Sequence, residues 1–445
     1  MLSLTGVALP IIGPLLPHAR RHFQVFDPLK RPELQPIMNA YFSVDSFFFI
    51  GGFLVSYGIL KKLEAMQIES TKDFFKRFPL MLAYLLRWAR LTPLYAVMIG
   101  ISATLPPYLG SGPFYQARLG PGSPIVSHCV DKWWTNMLYI NIFFVDGDCV
   151  GQSWYMADDY IFFILAPCFI VPLHLAERSL LKNRGLWWTA FVAAVLSIAT
   201  AAQTYKEGIR AQPLATVIDP STAPKFALED PAAYSTITSA YYFMPWCRMQ
   251  PYLVGIAFAF MMQKDLLPRR IAAKWLAVGY VTMSVLAYVM VYGLRGENNI
   301  DCTKDNVLGS YDPDECTGLG ARPSMSGDAM YNGFARGIWA VILALLTYFC
   351  HYGYGGPINW FLSSGAWLPL ARISFAAYLV HFLAIEVYYF SKPAAERLSV
   401  EQIWYDYISN LVMTYFYAFL LVVFVEFPAG QLVKLATTKK TPSGR

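Results

Sequence analysis

Tyr41-Phe42-Ser43-Val44-Asp45-Ser46-Phe47-Phe48-Phe49-Ile50-Gly51-Gly52-Phe53-Leu54-Val55-Ser56-Tyr57 is the stretch whose reading decides the fold. It is apolar over about the 20 residues a helix needs to cross a bilayer, yet it carries Asp45 near its start. A lone carboxylate in hydrocarbon costs about 2.5–3.5 kcal/mol even on the lenient insertion scale. Either Asp45 stays shallow and caps the helix from the interface, or it enters a polar pocket inside a helix bundle. The charges elsewhere in the chain favour the pocket.

Working outward, the whole chain has the same character. Of its 445 residues 56% are hydrophobic, 16% aromatic and only 14% charged, against about 25% charged in a soluble globular protein. Its mean hydropathy is +0.39. Nine apolar runs follow one another, at 40–60, 80–105, 153–176, 185–204, 249–263, 271–294, 331–352, 369–390 and 403–427. The predicted fold class is therefore an all-α polytopic membrane protein. Basic residues flank the runs and form no aromatic-interleaved surface strip, so nucleic acid is not the partner; membrane lipids are.

Lys and Arg set the predicted orientation. Lys61, Lys62, Lys72, Lys76 and Arg77 fall in one connection, Arg178, Lys182 and Arg184 in another, and Lys264, Arg269 and Arg270 in a third. The segment 431–445 is a basic tail. Alternation over nine spans puts all of these on one face, the cytoplasmic one, together with the C-terminus. The segment 1–39 reads as an incomplete N-terminal element: Met1 to Pro17 is apolar but interrupted by Pro10 and Pro14, with no basic region before it.

Cysteines check this independently. Cys129 and Cys149 lie in one connection on the other face, Cys302 and Cys316 in a second, and none lies in the basic connections. That is the distribution of disulfides in an oxidising lumen. Cys302 and Cys316 share one Gly/Asp-rich connection and are expected to pair. Neither connection shows CxxC spacing, so no metal site is expected.

Ionisable residues recur inside the spans. Arg87 and Arg90 are three apart and share a helix face; they either snorkel to headgroups or form an anion site for phosphate. Asp158 and Asp159 point about 100° apart on a helix, so one faces water while the other faces the bundle. Either caps the helix or binds a hydroxylated acceptor. Arg248, Arg336 and Arg372 are further pocket candidates, Glu386 and Glu426 follow, and His381 is either a hydrogen-bonded core histidine or, with Asp45, a candidate for chemistry.

Several of these stretches together resemble the acyltransferase 3 family, with its nose-resistant-to-fluoxetine branch in animals the nearest likeness. The stretch from Phe42 to Val55 is similar to the signature that follows the family's first helix. The likeness continues in order through Arg87 to Pro93, Cys129 with Trp133-Trp134-Thr135-Asn136, and Cys149 with Ser153-Trp154-Tyr155. It goes on through Pro251-Tyr252-Leu253-Val254-Gly255 and Ile373 to His381, and closes at Glu426-Phe427-Pro428. It covers 40–430, the predicted transmembrane domain.

The resemblance implies a ten-helix bundle, of which nine helices are counted here. It implies an acyl group taken from acyl-CoA, the co-substrate, on the cytosolic side and passed to a hydroxyl of a lipid or other acceptor, in the endoplasmic reticulum or plasma membrane. Arg87 and Arg90 match the arginines that meet the CoA phosphates. The family's presumed base, a histidine on the first helix, has no counterpart in a spanning run here. His18 and His22 lie in a polar stretch and do not inherit the role. The second reading is a lipid or small-molecule transporter, or a non-catalytic binding member.

Overall fold

The computed structural model describes residues 35–112, 114–144, 149–177, 184–207, 241–293, 325–393 and 399–437. Among them the chain is helical, in this order: α1 Phe42–Ala65, α2 Leu80–Thr104, α3 Pro124–Met137, α4 Trp154–Leu165, α5 Pro167–Glu177, α6 Arg184–Lys206, α7 Pro245–Gln263, α8 Ala273–Tyr292, α9 Met325–His351, α10 Trp367–Phe390, α11 Val400–Leu421 and α12 Phe427–Thr437. Among the described residues, nine helical runs of spanning length stand where the nine apolar runs were read. Seven are long and apolar enough to cross a membrane. The other two are α2, with Arg87 and Arg90, and α7, with Arg248 and Gln250, where internal polar residues lower the hydropathy.

Prolines explain the departures from the expected boundaries. The third span is two helices, α4 and α5, because Pro167 opens a new segment after Ala166. The fifth is longer than expected and begins at Pro245, whose fixed φ suits the first turn. The last span does not stop at Glu426. A π-helical turn over Val422–Glu426 precedes Phe427, and the helix continues to Thr437. A π turn absorbs the N–H that Pro428 cannot donate.

The chain divides into two units, one of residues 1–76 and 158–361, the other of residues 77–157 and 362–445. In the first unit, α1 is apolar nearly all round, so apolarity alone cannot choose its inner face. Size and polarity do. Asp45, Phe48, Phe49, Gly52, Ser56, Leu60 and Leu63 are buried at three- and four-residue spacing. Phe47, Ile50, Leu54 and Tyr57 are exposed, as lipid-facing side chains are. Gly52 meets the backbone carbonyl of Tyr252, and Gly255 meets that of Phe49, so α1 and α7 cross where neither can carry a Cβ. Phe48 and Tyr252 both pack on Phe162 of α4, with ring centroids 5.1 and 5.3 Å away.

In the second unit, Trp88 of α2 donates to the Met137 carbonyl at 3.2 Å, tying α2 to α3. A disulfide joins Cys129 of α3 to Cys149, as expected of an oxidising face. Cys302 and Cys316 lie outside the described residues. Non-reducing peptide mapping of alkylated, denatured protein is expected to recover residues 129 and 149 joined; either one recovered as an alkylated thiol would contradict the bridge. Cys129→Ser is expected to lower stability by about 3 kcal/mol, the loop-closure contribution of a ring this size, measured by unfolding in detergent.

Candidate functional site

The site of the first unit starts from a proline. Pro251 has no N–H, so the Cys247 carbonyl four residues earlier is left without its helical partner. The guanidinium of Arg336 on α9 takes it, with Nη1 donating at 2.5 Å. The next residue of α7, Arg248, donates from Nη1 to Asp45 Oδ1 on α1 at 3.1 Å and from Nε to the Tyr242 carbonyl at 2.8 Å. Two tyrosines cover the cations: the Arg248 guanidinium lies 4.1 Å from the Tyr242 ring centroid, that of Arg336 4.6 Å from the Tyr241 ring. Tyr41 and Tyr331 share a hydrogen bond of 3.2 Å, and Tyr331 donates to the Met290 carbonyl at 2.8 Å.

Asp158 completes the cluster. Asp45, Arg248 and Asp158 are each 0% exposed and Arg336 is 4% exposed. Arg248 and Arg336 are the cations whose fields reach the Asp158 carboxylate. Neither Asp158 oxygen has a hydrogen-bond partner among the described residues. Asp159, one position on, is half-buried, so the two acids divide as the 100° rule requires. Two carboxylates and two guanidiniums therefore sit inside the bundle, with one carboxylate engaged and the other lacking a donor. The interfacial-cap reading of Asp45 gives way: its carboxylate is paired in the interior. The α1 N-terminus at Tyr41 carries no side-chain cap.

The remaining candidates belong to the second unit. On α2, Arg87 is half-buried and Arg90 exposed; Arg90 interacts electrostatically with Glu426 in the π turn. Arg372 is exposed on α10 and is not among the buried charges. A conformation three residues back along α10 orients His381: its Nδ1 donates to the Tyr378 carbonyl at 2.6 Å, which leaves Nε2 as the acceptor nitrogen. Tyr378 itself donates to the Gln152 carbonyl, and Gln152 Nε2 donates to the Leu379 carbonyl at 2.7 Å. Glu386 accepts from Arg118 at 3.1 Å. Asn136 donates to Tyr95 at 2.7 Å and to Ser153 at 2.9 Å, and Asn141 donates to the same Ser153 hydroxyl at 3.1 Å. Among the described residues no three of His, Cys, Asp and Glu converge as metal ligands.

A family model described as an acyltransferase domain, acyltransferase 3, matches residues 12–428. The chain belongs to the acyltransferase 3 family. It is 27% identical over 375 residues to nose resistant to fluoxetine protein 6 of Caenorhabditis elegans, a match that takes in 82% of this chain and 41% of that protein. The chain thus spans about two fifths of that relative's length. No solved structure matches it. Family membership and seven apolar helices make it an integral membrane protein, acyltransferase-like in kind.

Of the residues singled out in the sequence, the structure pairs Asp45 with Arg248, seats Arg336 on the adjoining Cys247 carbonyl and buries Asp158. It also joins Asn136 to Ser153 directly. Sequence reading missed the tyrosines. Tyr241 and Tyr242 look like ordinary interfacial aromatics until the two guanidiniums are seen beneath their rings. It also missed Arg118, which lies in a connection 268 positions before its partner Glu386. One signal was readable: a proline four residues after Cys247 announces a carbonyl in need of a donor.

Proposed function

We propose that this chain transfers an acyl group from acyl-CoA to a hydroxyl of a lipid or other acceptor, in a membrane of the secretory pathway with its C-terminus in the cytosol. In the transfer the acyl carbon–sulfur bond of the thioester breaks and an ester carbon–oxygen bond forms. The hydroxyl proton ends on the CoA thiol. The observation that supports the reading is Asp158: a buried carboxylate within the fields of two cations, with neither oxygen hydrogen-bonded among the described residues. An alcohol hydroxyl is a donor they can accept from, and holding it fixes the orientation of the attacking oxygen. Asp45 does not serve as the base, since Arg248 holds its carboxylate.

Arg87 and Arg90 are assigned to the donor's phosphates, which guanidinium forks bind with geometric specificity. Their one-turn spacing on α2 suits adjacent phosphate oxygens. His381, in the second unit, is kept as a separate candidate for chemistry, its Nδ1 donating to the Tyr378 carbonyl. The disulfide at Cys129–Cys149 and the exposed Lys61, Lys62, Lys72 and Lys76 support opposite sides for these two parts of the chain.

The test is transfer of radiolabelled acyl from acyl-CoA into lipid by purified protein. Arg87→Ala/Arg90→Ala is expected to lower kcat/KM for acyl-CoA by at least about 100-fold, since each lost charge-assisted bond is worth about 1.5–3 kcal/mol. A wild-type protein that moves fluorescent lipid between leaflets without acyl transfer would instead establish the transporter reading.

A further inference from the structure

One end of the first unit is basic and takes no part in the Asp45–Arg248 pair. Lys61 and Lys62, near the end of α1, and Lys72 and Lys76, in a short helix Thr71–Arg77, are all exposed. The structure assigns this surface to the anionic phospholipid headgroups of the surrounding bilayer, held by the lysine charges and by one aromatic ring, Phe75, set at the acyl boundary. The assignment goes beyond acyl transfer and does not depend on it.

The backbone fixes where these side chains stand. Gln67 has a left-handed φ of 51°, and the amides of Gln67 and Ile68 close on the carbonyls of Glu64 and Leu63 at 3.0 and 3.1 Å. That is the Schellman arrangement, and it ends α1. His174 of α5 donates from Nε2 to the Ile68 carbonyl at 3.1 Å, pinning the connection. The Asp73 amide donates to Ser70 Oγ at 3.1 Å, which caps the short helix. Phe74 then turns inward, 1% exposed, and Phe75 turns outward, 69% exposed. Lys72, Phe75 and Lys76 share that outer face at spacings of three and four.

The same surface lies at the ends of spans. Glu64 joins the end of α1 to the end of α7: Lys264 Nζ is 2.7 Å from its Oε1, and Gln263 donates to its Oε2 at 3.1 Å. A further span, α8, starts at Ala273. There Trp275 is exposed, and the Lys274 ammonium lies 5.8 Å from its ring centroid. Bases beside exposed aromatic rings at span ends sit at headgroup depth. Residues 61–76 and 264–274 hold eight bases against four acids, Glu64, Glu69, Asp73 and Asp265. Lys264 takes Glu64, and Arg269 takes Asp265 at 2.6 Å. Lys61, Lys62, Lys72 and Lys76 have no ion pair among the described residues. The preference of lysine for the cytosolic side accounts for the charges alone. It does not account for an exposed phenylalanine between two of them, whereas a lipid surface, with phosphates outside and acyl chains beneath, accounts for both. Lysine meets phosphate as a point charge, so the surface reads the charge of a headgroup more than its shape.

The probes are dioctanoyl phosphatidylinositol bisphosphate (polyanionic), dioctanoyl phosphatidylcholine (zwitterionic) and inositol trisphosphate (a polyanion without acyl chains). Competition against a fluorescent bisphosphate lipid, read as anisotropy with the full chain in neutral detergent, gives each affinity. The bisphosphate lipid is expected to bind at least about 100-fold more tightly than phosphatidylcholine, and to weaken as salt rises. Lys61→Gln/Lys62→Gln/Lys72→Gln/Lys76→Gln is expected to weaken it by at least about 100-fold, at about fivefold per lysine. The unfolding temperature of that variant is expected to stay put, since none of the four lysines is paired within the fold. Phe75→Ser is expected to weaken the lipid by about fivefold and to leave inositol trisphosphate as it was. Equal affinity for the two lipids, or a four-lysine variant that binds as the wild-type chain does, overturns the assignment. Inositol trisphosphate binding as tightly as the bisphosphate lipid also overturns it, because the surface would then take a soluble polyanion. Acyl transfer enters none of these readouts, so a chain without transferase activity leaves the result standing.

Discussion

Asp45→Asn is expected to cost the folded protein about 3–5 kcal/mol, the price of leaving a buried cation without its counter-ion. The Arg248 side chain is 0% exposed and donates to Asp45 at 3.1 Å; with an amide in place of the carboxylate, its charge stays in the interior and its nearest compensation is gone. Arg248→Gln is expected to cost a similar amount, for the mirror reason. The pair itself is a weak net stabiliser, because both ions lost their hydration to reach this position. The double variant Asp45→Asn/Arg248→Gln is therefore expected to lose less than the sum of the two single variants, by a coupling of about 1–3 kcal/mol in a double-mutant cycle. Unfolding of the purified chain in mixed micelles measures it. Additive single losses would mean that the two side chains act independently, and the buried cluster would lose its standing as a unit.

The second large effect is steric. Gly52→Ala is expected to destabilise by about 2–3 kcal/mol, although alanine is the better helix former by about 1 kcal/mol. The added methyl group would land on the Tyr252 carbonyl, which belongs to the backbone of α7 and cannot swing aside. The helices would have to separate, and with them the Asp45–Arg248 contact one to two turns away. Gly255→Ala meets the Phe49 carbonyl from the other side and is expected to behave alike. Gly58→Ala on the same α1 is the control: nothing lies within 4 Å of the added carbon, so it is expected to be neutral or slightly stabilising. If Gly52→Ala and Gly58→Ala unfold together, the close crossing of α1 and α7 does not hold the bundle.

These two expectations show how unevenly the chain reveals itself. The spans were legible because the bilayer requires long apolar runs with internally satisfied backbones, and such runs stand out in any sequence. Their ends were less so. Pro167 split one span into α4 and α5, and Pro428 was carried through a π turn where a stop was expected, because a missing N–H has more than one local remedy. The Cys129–Cys149 bridge was foreshadowed by both cysteines falling in one connection away from the basic ones.

Side chains inside the bundle were legible by kind and not by partner. That Asp45 needed an offset followed from the cost of a carboxylate in hydrocarbon; that the offset is Arg248, 203 positions away, did not. Arg372 and Arg336 look equally buried along their helices, yet one is exposed and the other lies under Tyr241. Asp158 and Asp159 were known to diverge, and only the packing of α4 chose which turned inward.

The sequence by itself determined the membrane class and the positions of the apolar spans, because those depend on composition and on periodicities local to each run. Only the tertiary structure decided which charges meet, because on a helix apolar all round the inner face is chosen by close approach at Gly52 and Gly255. That choice, and the carbonyl freed by Pro251, put two carboxylates and two guanidiniums in one interior.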